Sequence, residues 1–254
     1  MENNGYSNYS FGTIEKSDVV ATNKAIAGSF LWMFLGALIT LLVGMASTTI
    51  AANVLTSPTG SLTYLFIFIG CFIFQIVLTT KLHKNTYIKQ NYGKSLLTFF
   101  AYSALTGFTF SFLFVFFDAA ILNQVFAGVS LYFLLLAGLT FVFRKKIESA
   151  AGFAYVGLSV LLIASTIMLL VSLFAFGGAF FNTLYLAISI LGILVFTIIT
   201  MVDIKSAYET LRYDSNRKCM MVYFAFSLYL DFINIFVYVL RILAILGKFS
   251  SNRD

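Results

Sequence analysis

Residues 226–246 read FSLYLDFINIFVYVLRILAIL. As a helix this stretch is about 30 Å long, and its side chains are apolar enough to cross a bilayer. Yet Asp231 sits near its middle and Arg241 near its end. A charge at the centre of a membrane helix costs about 2.5–3.5 kcal/mol even on the most forgiving scale. The carboxyl must therefore face a bundle interior, hold a proton or meet a partner, and the rest of the chain has to supply that interior.

The composition supplies it. The chain has 254 residues, of which 60% are hydrophobic and only 10% charged, and its mean hydropathy is +0.95. No Asp, Glu, Lys or Arg occurs between Lys24 and Lys81, Lys94 and Asp118, Asp118 and Arg144, or Glu148 and Asp203. With about 20 residues needed per crossing, these runs and the opening stretch predict an all-α polytopic membrane protein. Seven transmembrane helices are expected near 26–52, 61–80, 95–117, 119–143, 150–174, 183–210 and 220–246. The turns NVLTSPTG, with the single proline Pro58, and FGGAFFN separate the first and second and the fifth and sixth spans. The domain reading is a polar cytoplasmic segment 1–25, one transmembrane domain 26–246 and a polar tail 247–254. The first 25 residues lack an early apolar run, so no cleaved signal peptide is expected.

Basic residues mark alternate connections. Lys16 and Lys24 precede the first span; Lys81, Lys84, Lys89 and Lys94 follow the second; Arg144, Lys145 and Lys146 follow the fourth; Lys205, Arg212, Arg217 and Lys218 surround the sixth connection. The intervening connections hold only Asp118. The positive-inside rule then puts the N-terminus in the cytoplasm, and the net charge of +6 is a topology signal with no nucleic-acid partner implied. Lys248 and Arg253 would lie on the far side after a full seventh crossing, whereas a re-entrant last helix would keep them with the other cations. The length of 220–246 favours the full crossing.

Cys71 falls inside a span and Cys219 in a short loop, which suggests packing rather than a disulfide. His83 is the single histidine, so a zinc or haem site has no support. Gly36, Thr40 and Gly44 recur every four residues and suit close helix approach.

Asp203 is the candidate partner for Asp231. If the sixth helix continues through DIKSAYETLR, the last two helices form a hairpin turning around 213–218, and the two acids differ in depth by roughly 5 Å. Two acids at one depth can share a proton and titrate as a coupled pair. A structural hydrogen bond pinning two helices, or an Asp203 solvated at the membrane surface, are the plainer alternatives. Asn234 and Tyr238 continue the face of Asp231 as a polar stripe. Arg241 lies about 15 Å further along, either within the site's supporting set or snorkelling to the far interface.

AFSLYLDFINIFVYVLRIL at 225–243 resembles the C-terminal signature of the transmembrane Bax inhibitor motif family, LTGFTF at 105–110 resembles its third-span motif, and ILVFTIITMVDIKSAYE at 193–209 its sixth. The resemblance runs from about residue 20 onward. It implies seven helices with the last one central and surrounded by the other six. It also implies a pH-sensitive calcium leak controlled by Asp203 and Asp231, in the inner membrane of a bacterial cell. Val202 stands where the pattern has tyrosine. The second span offers Gln75 where some relatives carry an acid facing the residue matching Arg241. Lys81 corresponds to a basic residue that can latch the first aspartate.

The leading functional expectation is a passive calcium pathway gated by protons. Calcium needs oxygen ligands, and Asp203 and Asp231, helped by Asn234 and backbone carbonyls, would form a weak, transient site with no tightly bound cofactor. A proton-coupled cation transporter is a second class, without the paired broken helices such folds show. A non-conducting regulator of a membrane protease or of stress and cell-death signalling is a third. An intramembrane aspartyl protease fits poorly, since LYL precedes Asp231 where those enzymes use a glycine-rich approach, so no enzyme is expected.

Overall fold

Six helices account for the computed structural model, which describes residues 16–173, 179–214 and 216–251. They are α1 (Lys16–Thr56), α2 (Gly60–His83), α3 (Tyr92–Phe114), α4 (Ala119–Leu173), α5 (Ala179–Tyr213) and α6 (Arg217–Ser251), with a short π-helix at Lys84–Ile88 between α2 and α3. Residues 1–15 of the polar N-terminal segment, 252–254 of the tail and the opening FGG of FGGAFFN lie outside the described residues, as do the side chains of Arg144, Lys145, Lys146 and Lys248. Six helical stretches are long and apolar enough to cross a membrane, and a shorter apolar one covers Ala150–Ser165.

That shorter stretch belongs to α4, which the sequence reading divides in two. Helical hydrogen bonding runs through the basic triplet, but the contacts require a reversal. The Tyr132 hydroxyl lies 2.6 Å from Thr197 Oγ1, while a Cβ on Gly157 would come within 2.9 Å of Val195. On a straight helix residues 132 and 157 would be about 37 Å apart, yet they meet neighbouring residues of α5. The chain therefore folds back between them, α4 supplies two arms, and the bundle has seven crossings.

The first two tight connections follow from local chemistry. After α1 the Ser57 hydroxyl donates to the Val54 carbonyl at 2.8 Å, and a Cβ on Gly60 would sit 2.3 Å from the same carbonyl oxygen. Only glycine fits that approach. Before α3, Gln90 takes a positive φ of 47° and the Asn91 side chain accepts from the Lys94 amide at 3.0 Å, a regular N-cap.

α6 holds the centre. Its buried residues include Phe224, Ala225, Phe226, Leu228, Tyr229, Asp231, Phe232, Ile235 and Phe236, a spacing that covers most of the helix surface, and the remaining stripe of Ser227, Leu230, Asn234 and Val237 is half-buried. It packs on α5, α1, α4 and α3. α2 stands in the outer layer, packed mainly on α3, with Phe66, Phe72 and Ile73 outward. Cys219 is not in a loop: it is buried in the first turn of α6, and both cysteines are free. The Gly36, Thr40 and Gly44 repeat forms the contact of α1 with α3. Gly36 lies under Phe99, Gly44 under Phe114, and the Thr40 backbone against Gly107.

Candidate functional site

The hairpin of α5 and α6 turns where the sequence predicts. Tyr213 ends one helix, Arg217 begins the next, and Asp214 Oδ1 accepts from the Asn216 amide at 2.6 Å. Running antiparallel from that turn, the two helices bring their aspartates to nearly one level. Asp203 Oδ2 accepts a hydrogen bond from the Ser227 hydroxyl. Ser227 is one turn before Asp231, so the acids are offset by about 6 Å along α6.

Asp231 is 4% exposed, and its Oδ2 has no hydrogen-bond partner. Thr200, one turn before Asp203, presents its hydroxyl to the Asp231 carboxyl, and Asp203 is its electrostatic neighbour. Thr200 Oγ1 also lies 2.7 Å from Phe196 O, so its single proton serves one of these two acceptors at a time. The acids do not bond directly to each other. Serine and threonine hydroxyls stand between the helices, and a buried carboxyl oxygen left unpaired there costs free energy that the surrounding packing must offset. Tyr155, on the second arm of α4, completes the electrostatic neighbourhood of both acids.

The supporting residues named from sequence are dispersed. Asn234 Nδ2 donates to the Leu230 carbonyl of its own helix at 2.8 Å and does not reach the pair. Lys81 is exposed at the end of α2, and α2 packs on α3 rather than α5. In this conformation Lys81 does not latch Asp203. Arg241 is held at the opposite end of the bundle by the rings of Tyr185 and Tyr238, each 5.6 Å from its guanidinium carbon, a cation–π clamp. No cluster of three or more His, Cys, Asp or Glu forms among the described residues. Asp203 and Asp231 thus have no third acid beside them.

A second buried polar set escaped the sequence reading. The Tyr229 hydroxyl lies 2.7 Å from Thr40 Oγ1, which is 2.9 Å from the Ser103 carbonyl. Gln75 Nε2 donates to Thr106 Oγ1 at 3.2 Å, and Thr106 in turn neighbours the Tyr229 hydroxyl. One tyrosine thereby ties α6 to α1 and α3, and through Gln75 to α2. Tyr229 lies two residues before the acid in sequence but faces away from it, so only the pattern of polar residues in apolar helices could have drawn attention to it.

A sequence profile described as inhibitor of apoptosis-promoting Bax1 matches residues 22–248. The chain belongs to the Bax inhibitor family. Among curated relatives of this Bax inhibitor family chain, an uncharacterised protein of Borreliella burgdorferi is 29% identical over 238 residues, 91% of this chain and 96% of the other. The inner membrane protein YbhL of Escherichia coli is 27% identical over 216 residues, 83% of this chain and 87% of YbhL. The protein RP147 of Rickettsia prowazekii is 32% identical over 165 residues, 61% and 64% of the two chains. Membership and the apolar helices together make this a multi-pass membrane protein of the Bax inhibitor family, in contact with the lipid bilayer.

Proposed function

We propose that the protein is a proton-sensitive calcium leak whose gate is the contact of α5 with α6. The observation that carries this reading is the pair of acids at one level of adjacent helices. Asp203 is engaged by Ser227, and Asp231 is enclosed with one carboxyl oxygen unsatisfied. Breaking the Ser227 bond would release Asp203 oxygens toward Asp231 and provide two carboxylates, with backbone carbonyls, as a weak site for a hard cation. Weak binding suits conduction, because the ion must also leave. This reading assigns the two acids no enzymatic step and the protein no resident cofactor. Alternate basic connections support a cytoplasmic N-terminus, and the location of YbhL supports a bacterial inner membrane.

The test is purified protein in liposomes loaded with a calcium dye. Asp203→Asn and Asp231→Asn each change the flux and its pH dependence, and the double variant loses the wild-type pH profile. A double variant with an unchanged profile would remove the pair from gating.

A second reading has its own observation. Asp203 and Asn234 are both spent on helix hydrogen bonds, which is what a non-conducting regulator of other membrane proteins requires, such as a membrane protease or a cell-death pathway. Wild-type liposomes with no flux above protein-free liposomes at any pH between 5 and 8 would favour it.

A further inference from the structure

The acid pair leaves Arg241 unused. Arg217 begins α6 at the basic end of the bundle, and Arg241 follows it about 36 Å further along the same helix axis. The hydrocarbon core of a bilayer is about 30 Å thick, so Arg241 stands at the headgroup level of the leaflet opposite the basic end. Tyr185 and Tyr238, which hold it there, are of the type that settles at that level.

The two rings fix the guanidinium without using its protons. Each lies 5.6 Å from the guanidinium carbon, and a cation over a ring is held by the ring's quadrupole rather than by a hydrogen bond to an acceptor atom. Among the described residues Arg241 has no hydrogen bond and no ion pair. Its N–H fork is therefore left for an acceptor from outside the chain, and the oxygens of a phosphate match that fork. Asp118, the acid beside this end of the bundle, is exposed and does not pair with it.

Arg241 lines a groove of about 560 Å³. Val237 and Ala244 share its face of α6, and the facing wall is Leu113 of α3 with Phe116 and Phe117 of the turn into α4. Phe116 is 74% exposed and carries this apolar wall outward to the lipid. The groove thus joins one cation at headgroup depth to an apolar channel. A free phosphate has nothing to place against the wall, whereas a lipid fills both parts.

We infer that this groove binds one glycerophospholipid of that leaflet, its phosphate on the N–H fork of Arg241 and an acyl chain along Leu113, Phe116 and Phe117. Basic pockets between membrane helices commonly seat lipid headgroups. The rings of Tyr185 and Tyr238 keep the guanidinium in place before the lipid arrives, which lowers the ordering cost of binding.

The experiment is native mass spectrometry of the full chain released from micelles containing palmitoyl-oleoyl phosphatidylglycerol or the diacylglycerol with the same chains. The wild type retains phosphatidylglycerol and sheds diacylglycerol. Arg241→Gln weakens phosphatidylglycerol binding about tenfold, or ~1.4 kcal/mol, near the smallest loss expected for a hydrogen bond to a charged group. Ala244→Phe fills the groove without changing charge and also lowers retention. Lys84→Gln removes an exposed cation at the opposite end and keeps the wild-type level. Equal retention of diacylglycerol would overturn the role of the phosphate. Displacement of the lipid by millimolar inorganic phosphate would overturn the lipid as ligand, leaving a soluble-anion site. An equal loss in Lys84→Gln would reduce the effect to general surface charge and overturn the site. Undiminished retention in both groove variants would overturn the proposal outright.

Discussion

Replacing Gly107 by alanine tests the packing that holds the centre together. A Cβ at that position would lie 2.5 Å from the Thr40 carbonyl oxygen, 3.0 Å from Val43 Cβ and 3.1 Å from Thr40 Cα. Two of these are backbone atoms, so no side-chain rotation relieves the clash. Restoring ordinary contact requires α1 and α3 to separate by ~0.9 Å, and overpacking of this kind costs about 1–3 kcal/mol. The same displacement stretches the 2.9 Å bond from Thr40 Oγ1 to the Ser103 carbonyl beyond hydrogen-bonding range. That loss adds about 1 kcal/mol. Alanine returns about 1 kcal/mol through helix propensity, so the net destabilisation is about 1–3 kcal/mol. The protein carries its own reporter, since the single tryptophan, Trp32 of α1, meets Phe100 of α3 edge-on with ring centroids 5.8 Å apart. Denaturant titration in micelles, followed by Trp32 fluorescence, should show an earlier transition for Gly107→Ala. Gly70→Ala, whose Cβ would meet nothing within 4 Å, should be neutral or slightly stabilising. Equal midpoints for the two variants would refute the close-approach argument.

Ser227→Ala removes the donor to Asp203 and should lower stability by about 1 kcal/mol. It should also move the infrared titration of the Asp203 carboxyl, and a titration identical to wild type would show that the serine does not set its state. Lys81→Ala should leave calcium flux in liposomes unchanged, because Lys81 is exposed on a helix that packs away from α5; an altered flux would show that α2 moves toward Asp203 in a conducting conformation.

Much of this architecture is visible in the order of residues alone, because a bilayer allows few alternatives. Long charge-free runs mark the helices, and the turn between Tyr213 and Arg217 falls in the predicted window because polar residues interrupt two apolar helices there. The four-residue repeat of Gly36, Thr40 and Gly44 reads as a close helix contact and is one. What the sequence hides is pairing. Asp203 meets Ser227 rather than Asp231 itself, since a one-turn offset of two helices suffices to exchange one polar neighbour for the next. The continuity of α4 through its basic triplet is equally invisible, because charges mark where a chain leaves the membrane and not whether its backbone stays helical there. The Tyr229 network joins residues from four helices, and no local period encodes such a meeting.

The central position of α6 also bears on biogenesis. Helices enter the membrane in the order in which the ribosome makes them, and this bundle is arranged around the last of its helices to be made. Until α6 arrives, the faces of α1, α3 and α5 that will enclose it have only lipid or one another to touch. Thr40 must likewise wait for Tyr229, and Thr200 for Asp231. Helices α1 and α3, and α4 and α5, can pack as they are made, but closure of the bundle around its centre waits for the seventh crossing. A nascent chain stalled before Arg217 would be fully inserted and yet have no centre, which gives membrane quality control a clear distinction between a finished protein and an unfinished one.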